Sequence, residues 1–202
     1  EHKNLKYCTE LKYKDSLILQ PKNFSNFNID IEFFSDKKWR ERLLKDEIQG
    51  RKNKEISGYH THFYILKNRN KAIIYFSIPG KLACKLIGNI RPHGDFSDHR
   101  EGNDLPSLNV NLKKGHIFGI TKFILFRPVT RNNENEIVVT SLLSELNFLA
   151  PRSTFVNVKH KKKIKKFIFQ ERIEKEFLEQ NSLREGPLYQ GDERFIWWDP
   201  YE

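Results

Sequence analysis

The residues best suited to chemistry lie together in one short polar stretch. Two imidazoles and two carboxylates occur within seven residues, at His93, Asp95, Asp98 and His99. Side chains of these types bind divalent cations, and metal-dependent hydrolases use them to activate water. The spacing lacks the middle His of the familiar His-x-His-x-Asp-His sets, and ordinary surface loops also collect Asp and His. The stretch therefore predicts either a metal site or a solvated loop.

Two strands must position this stretch. Apolar residues alternate with other residues from Leu82 to Ile90, and they alternate with polar residues again over 107–112. Alternation with period two is typical of half-buried strands. The sequence therefore predicts a strand, a polar loop over 93–104 and a second strand. Loops held by rigid strands commonly carry binding and catalytic residues.

The same pattern predicts the remaining strands. Apolar or alternating runs occur near 29–33 and in the segments HFYILK, KAIIYFSI, TKFILF, STFVNVKH and IKKFIFQE. The run at 68–70 predicts a turn between the first two of these segments, and the Lys-rich run at 159–166 predicts a turn between the last two. Short turns between successive strands favour a mostly antiparallel sheet.

Three helices complete the expected fold. Apolar residues at helical spacing predict helices over 36–49, 132–146 and 171–181, with a charged linker at 51–58. Their buried stripes are predicted at Trp39, Leu43, Leu44 and Ile48 in the first and at Val138, Leu142 and Leu146 in the second. The predicted fold class is therefore α+β, a mostly antiparallel sheet with two or three packing helices.

Composition limits the class of protein and its partners. The chain has 202 residues with 16 Phe, which is enough for a globular core, and its net charge of +10 permits phosphate-rich partners. The Lys cluster at 159–166 is typical of a nucleic-acid patch or of a solvated turn. We favour the turn, because strand patterns flank the cluster and no aromatic residues alternate with its lysines as stacking on single strands requires. This interpretation therefore argues against a nucleic-acid partner.

The cysteines and the apolar runs bear on location. The two cysteines, Cys8 and Cys84, predict no disulfide framework and no zinc site, and they favour a reducing, cytoplasmic environment. No apolar run approaches the roughly 20 residues of a membrane-spanning helix. The chain contains no Met, so we expect it to be a piece of a longer protein.

The order of short motifs along the chain points to a family. The motifs, in chain order, are Ile90-Arg91-x-x-Gly94, a strand led by Pro106, Phe123-Ile124-Leu125, Arg131-Asn132, Leu149-Ala150-Pro151-Arg152, and Gln170-Glu171-x-Ile173-x-x-x-Phe177-Leu178. This order resembles the spore-coat-protein-H (CotH) family of atypical protein kinases. It is most similar to the divergent branch of environmental bacteria and their phages, and it covers about residues 82–190.

The resemblance implies an ATP-dependent phosphotransferase with a two-lobed, kinase-like fold. Residues 59–202 would form the N-terminal portion of that domain, and residues 1–58 would form an arm and a helix before it. The implied cofactors are ATP with Mg²⁺ or Mn²⁺. The implied acceptor is a protein or another surface-associated, glycan-related substrate.

The resemblance also implies a set of site residues. Arg91, Gly94 and the 93–104 loop would cover the nucleotide phosphates, as mobile loops with Arg side chains do elsewhere. Gln170 and Glu171 would lie at the edge of the nucleotide pocket. Arg131 and Glu136 flank the start of the second helix and would order the site.

Two departures from the family pattern keep other functions open. The family's loop is followed by a Pro-Lys pair, whereas here Ser107 follows Pro106, so the cation's role would pass to Lys113, Lys122 or Arg100. The family's catalytic acids come after the matched region, so no catalytic residue is assigned. The acids that would replace them are Asp192, Glu193 and Asp199, but the residues around these three give little support for that role. A metal-dependent hydrolase and a non-catalytic binding or assembly module remain the alternatives.

Overall fold

In the part of the chain that the structure describes, seven strands form the framework. The computed structural model describes residues 4–20, 24, 26–57, 69–94, 97–100 and 105–189, with the backbone alone at 50–57 and 97–98. The strands are β1 (Asn28–Phe33), β2 (Asn70–Ile78), β3 (Leu82–Pro92), β4 (Leu108–Leu112), β5 (Lys122–Phe126), β6 (Ser153–His160) and β7 (Lys163–Glu171). These ranges confirm the predicted strands, except that HFYILK lies outside the described residues.

The strands close into a barrel in the order β1-β2-β3-β4-β5-β7-β6. Every neighbouring pair is antiparallel except β1 and β6, which pair in parallel and complete the circle. The interior is filled by alternate residues of the strands, among them the fully buried Phe76, Phe123 and Phe169. Each such side chain contributes roughly 1.5–3 kcal/mol of burial energy, so the interior stabilises every strand of the circle.

The predicted α+β, kinase-like fold is wrong, because the sheet has no free edges and closes on itself. The closing contact joins residues such as Asn28 and Asn157, which are 129 positions apart. Alternation along a strand shows which face is buried, but it does not show which distant strand will pair with it. The local pattern therefore predicted the strands and missed the barrel.

Among the described residues, four helices and several 3₁₀ turns accompany the barrel. The helices are α1 (Tyr13–Ser16), α2 (Asp36–Ser57), α3 (Asn135–Glu145) and α4 (Lys175–Gln180). The 3₁₀ turns include Ser97–Arg100 in the loop after β3 and Pro128–Arg131 before α3. The predicted helices are therefore present, although α2 continues through the predicted linker and α4 begins later than expected.

The buried stripe of α2 differs from the prediction. Leu44 and Ile48 are 57% and 54% exposed, whereas Asp46 is fully buried. Trp39 of α2 stacks on Phe33 of β1, with ring centroids 4.2 Å apart. This contact directs the face of α2 that carries Trp39 toward the end of the barrel. Arg42 and Asp46 follow Trp39 on that face, and Asp46 forms an ion pair of 3.4 Å with Arg100. A buried charge pair thus occupies positions that the hydrophobic pattern could not identify.

The buried stripe of α3 was also predicted on the wrong face. Val138, Leu142 and Leu146 are each more than half exposed, and Thr140 is the buried residue. The Thr140 hydroxyl donates to the carbonyl of Glu136, and the helix contacts β6. The three apolar residues of the predicted stripe therefore face away from the barrel.

A disulfide overturns the interpretation of the cysteines. Cys8 and Cys84 are bonded, with their Cα atoms 5.0 Å apart. The bond fixes the N-terminal segment to β3, where the amide of Lys85 also donates to the carbonyl of Lys6. Disulfides are typical of oxidising compartments, so the cytoplasmic prediction loses its basis in free cysteines. In the described part of the chain, no helix is long and apolar enough to cross a membrane.

Candidate functional site

A row of three polar residues and one isoleucine crosses the outer wall of the barrel. Pairing places Arg91 of β3 opposite Asn109 of β4, Asn109 opposite Ile124 of β5, and Ile124 opposite Gln170 of β7. The residues beside them in each strand fill the interior, so this row faces outward. Adjacent strands lie about 4.8 Å apart, which separates Arg91 from Gln170 by about 14 Å. Two residues assigned through the resemblance therefore share one face.

The start of α3 supplies charged groups to the same wall. The side-chain Nε2 of Gln170 donates to Glu136 Oε1. Arg131 Nε lies 3.6 Å from Glu136 Oε2. The Arg131 guanidinium also lies over the Phe126 ring, 4.1 Å from its centroid. The structure therefore brings Arg131, Glu136 and Gln170 together.

A buried amide lies in the middle of the row. Asn109 is only 2% exposed although it faces outward. Its side-chain oxygen has no hydrogen-bond partner among the described residues. Leaving a buried acceptor unpaired costs roughly 1–3 kcal/mol, so this atom is a candidate acceptor for a donor of a ligand. The sequence offered only one signal for it, a polar residue at an outward position of a strand.

The base of the loop after β3 is held by Ser107. The amide of His93 donates to the Ser107 carbonyl at 2.7 Å, and the amide of Ser107 donates to the His99 carbonyl at 2.9 Å. The Ser107 hydroxyl accepts from the amide of Arg127 at 3.0 Å. The CotH resemblance predicts a Lys at this position, and the residue present, Ser107, fixes the loop instead of supplying a cation.

Gly94 makes the close turn of this loop possible. Its φ is +86°, in the left-handed region that favours glycine. A Cβ added there would lie 2.1 Å from the ring of His99, so a side chain would force the two apart. His99 is thus held against the backbone at the start of the loop.

The two histidines form a packed pair. Their ring centroids are 5.8 Å apart and their planes are nearly perpendicular, and both rings lie near Phe126. Burial, together with the neighbouring His99, Arg91 and Arg131, lowers the pKa of His93 to about 3. His93 is therefore neutral at physiological pH, and the guanidinium groups of Arg91 and Arg131 act on the same point of the wall.

The lowered pKa of His93 predicts a pH dependence of stability. Between pH 3 and its ordinary value of 6.5 the unfolded chain binds a proton that the folded chain does not, so stability falls as pH drops through this window. We expect the protein to lose up to about 2 kcal/mol between pH 7 and pH 5. Urea unfolding at the two pH values measures this loss.

His93→Phe is the matching variant. It should lose less stability than the native chain over the same pH interval, because the depressed group is absent. His116, whose burial also lowers its pKa, keeps part of the dependence. An equal loss in the variant and the native chain would contradict the assignment to His93.

The metal prediction remains open. Asp95 lies outside the described residues, and so does the side chain of Asp98. The described residues contain no group of three or more side chains placed to hold a metal ion. His93 and His99 are near each other, but their contacts with Phe126 and Gly94 already account for their burial.

Two assigned residues have other partners. Lys122 lies on the outer wall opposite Asn111, and its ammonium forms an ion pair with Glu174. Glu171 pairs with Phe123 in register, faces the interior and is 4% exposed. The Arg152 guanidinium donates to both of its carboxylate oxygens, at 2.8 and 2.9 Å. Glu171 therefore has a structural partner inside the barrel.

The cations expected to take over the role of the missing Lys do not lie in this row of the outer wall either. Arg100 forms its ion pair with Asp46 of α2. Lys113 is exposed in the turn after β4. The positive charge of the wall therefore comes mainly from arginines that lie beside the loop.

Comparison with known proteins does not assign this site. No family model matches the chain, and no curated protein matches it. The CotH resemblance therefore remains a prediction that depends on the motifs quoted above. The chemistry of the outer wall, with its arginines, buried amide and glycine-based loop, is the basis on which a function must be argued.

Proposed function

We propose that the outer wall of β3, β4, β5 and β7 binds the phosphates of ATP. The chain would then be the nucleotide-binding part of an ATP-dependent phosphotransferase, as the CotH resemblance implies. The observation that carries the proposal is the convergence of Arg91 and Arg131 on His93, at the base of the Gly94 loop. Both guanidinium groups are close enough to depress the pKa of that imidazole.

The proposed chemistry follows from the residue types. Guanidinium groups form paired, charge-assisted hydrogen bonds with phosphate oxygens. Glu136 offsets part of the positive charge and holds Arg131 and Gln170 in place. The unpaired oxygen of Asn109 accepts a hydrogen bond, which suits an amino group of a base or a hydroxyl of a sugar. The wall thus combines phosphate donors with one acceptor.

Phosphoryl transfer needs more than this wall. Mg²⁺ would enter with the nucleotide and supply charge neutralisation for its phosphates. Acids that hold the metal and orient the acceptor are not assigned in this chain. In this proposal the described residues bind the nucleotide, and the acids lie outside them. The proposal requires no two-lobed fold in the described residues.

Calorimetric titration of Mg-ATP into the native chain and into Arg91→Ala tests the proposal. Loss of a hydrogen bond to a charged group costs roughly 1.5–3 kcal/mol, so we expect the dissociation constant to rise about 10- to 100-fold. Lys81→Ala is the control, because Lys81 is an exposed cation in the turn at the opposite end of β3. Equal affinities of the native chain and Arg91→Ala would refute the proposal.

A further inference from the structure

An apolar stripe runs along the outward face of α3. Val138, Leu142 and Leu146 follow one another at intervals of four residues, and Val139 lies three residues before Leu142. Side chains at these spacings are neighbours on a helix. All four are more than half exposed, whereas Thr140 on the opposite face is buried where α3 contacts β6. The stripe is therefore continuous and points away from the barrel.

The end of α3 enlarges this stripe. The φ of Asn147 is +60°, and its amide donates to the carbonyl of Ser144 at 3.0 Å. The amide of Phe148 donates to the carbonyl of Leu143 at 2.9 Å. These bonds form a Schellman motif, which turns the chain back against the last turn of a helix. Two further exposed apolar residues thereby join the stripe, and we name the whole set the α3 patch: Val138, Val139, Leu142, Leu146, Phe148 and Leu149.

The size of the α3 patch suits the core of a small dimer interface. Burial removes roughly 60–120 Å² of apolar surface per aliphatic side chain and 150–250 Å² per aromatic one. The six side chains are each more than half exposed, so the patch offers roughly 250–500 Å² per molecule. Apolar atoms make up about 65% of a homodimer interface. Two patches together therefore correspond to a total interface of roughly 800–1,500 Å², which overlaps the range of specific interfaces.

The distribution of charge favours a second copy of the chain as the partner. The net charge is +10, and 36 of the 202 residues are Lys or Arg, yet residues 132–151 contain neither. Two such molecules repel each other wherever their basic surfaces meet, and the α3 patch brings no cation of its own segment into the contact. The exposed acids Glu134 and Glu145 are 11 positions apart, which places both along one edge of the helix. The centre of the patch is therefore uncharged.

We propose that the protein forms a two-fold symmetric dimer through the α3 patch. The stripe is symmetric about Leu142, because Val138 lies four residues before it and Leu146 four residues after it. With the two α3 helices antiparallel, Leu142 meets its counterpart, and Val138 of one copy meets Leu146 of the other. A contact of this type uses the same surface on both molecules and closes after two copies. The assembly is therefore a dimer and not a filament.

The dimer leaves the proposed nucleotide wall open. Glu136, which contacts Arg131 and Gln170, lies on the side of α3 that faces the barrel. The α3 patch lies on the opposite side. Dimerisation and nucleotide binding can therefore be tested separately, and Arg91→Ala should leave the dimer unchanged.

Sedimentation velocity of the full chain over a range of concentrations tests the proposal. We expect a reversible monomer–dimer equilibrium, and Leu142→Glu should raise its dissociation constant at least tenfold, because the two introduced charges face each other at the two-fold axis. Leu44→Glu is the matched control, since Leu44 of α2 is as exposed as Leu142, at 57%. The control should change the dissociation constant less than twofold. Thermal melts verify that both variants keep the native fold.

The antiparallel arrangement has its own test. Val138→Lys and Leu146→Glu should each weaken the dimer, and an equimolar mixture of the two variants should associate more tightly than either alone, because the introduced cation and anion then meet. Added salt should strengthen the native dimer, since it screens the repulsion between two molecules of net charge +10.

Four results would overturn the proposal. The first is a native chain that stays monomeric at every concentration, and the second is equal weakening by Leu142→Glu and Leu44→Glu. The third is a mixture of Val138→Lys and Leu146→Glu that associates no better than its components. The fourth is a dimer that dissociates when salt is added, because such a dimer would depend on contacts between opposite charges.

Discussion

Replacing Cys8 and Cys84 together by Ser should lower the free energy of unfolding by about 4.5 kcal/mol. The disulfide closes a segment of 76 residues, and the entropy that it removes from an unfolded chain of this loop length gives that figure. The bond also fixes the N-terminal segment, whose buried Leu19 and neighbouring Phe27 belong to the barrel core. The effect is a large fraction of the stability of an ordinary domain.

Urea unfolding with and without reductant measures this contribution. The native chain should lose stability on reduction and then match the double Ser variant, and the variant itself should not respond to the reductant. A difference below 1 kcal/mol between the oxidised native chain and the variant would contradict the proposed role of the bond. Such a result would also restore the prediction that the two cysteines form no disulfide.

Arg152→Ala should cost about 3–5 kcal/mol, the second large effect. Glu171 is almost fully buried, and Arg152 is its bidentate partner. Removing the guanidinium leaves an unpaired carboxylate inside the protein, which is strongly destabilising. The same guanidinium donates to the carbonyl of Phe118 and to the side chain of Gln180, so three contacts are lost together.

A double-mutant cycle separates the buried charge from the other contacts. Arg152→Ala/Glu171→Gln should be more stable than Arg152→Ala alone, because the glutamine carries no charge. Arg184→Ala, an exposed arginine beyond α4, should change stability by less than 0.5 kcal/mol. If Glu171→Gln does not improve the Arg152 variant, the charge on Glu171 is not the source of the cost.

Local patterns predicted the strands and missed their closure for a physical reason. The segment STFVNVKH became β6 at its predicted bounds, because alternating side chains need one buried face wherever that strand pairs. The parallel pairing of β1 with β6 depends on where two distant segments meet. The buried face of α3 was predicted from hydrophobicity alone, yet tertiary packing buried Thr140 and left Leu142 exposed.

The candidate site was predictable in part. Motif order indicated Arg91, Arg131 and Gln170, and the structure places them on one wall. The same resemblance indicated Glu171, which alternation turns inward toward Arg152. The burial of Asn109 had no signal in the sequence, because an outward position of a strand is ordinarily exposed. Residue types indicate which chemistry is available, whereas only tertiary packing decides which polar groups are buried.

Amide hydrogen exchange with and without Mg-ATP tests the nucleotide wall most directly. We predict slower exchange in the presence of Mg-ATP at 91–94 and 105–109, where the loop joins β3 and β4, and at the start of α3. The exchange rate of amides at the tip of the β6–β7 hairpin should not change. Arg91→Ala should abolish the protection at Mg-ATP concentrations that saturate the native chain. Unchanged exchange at the loop base, or protection confined to the β6–β7 hairpin, would contradict the assignment of the nucleotide to the outer wall.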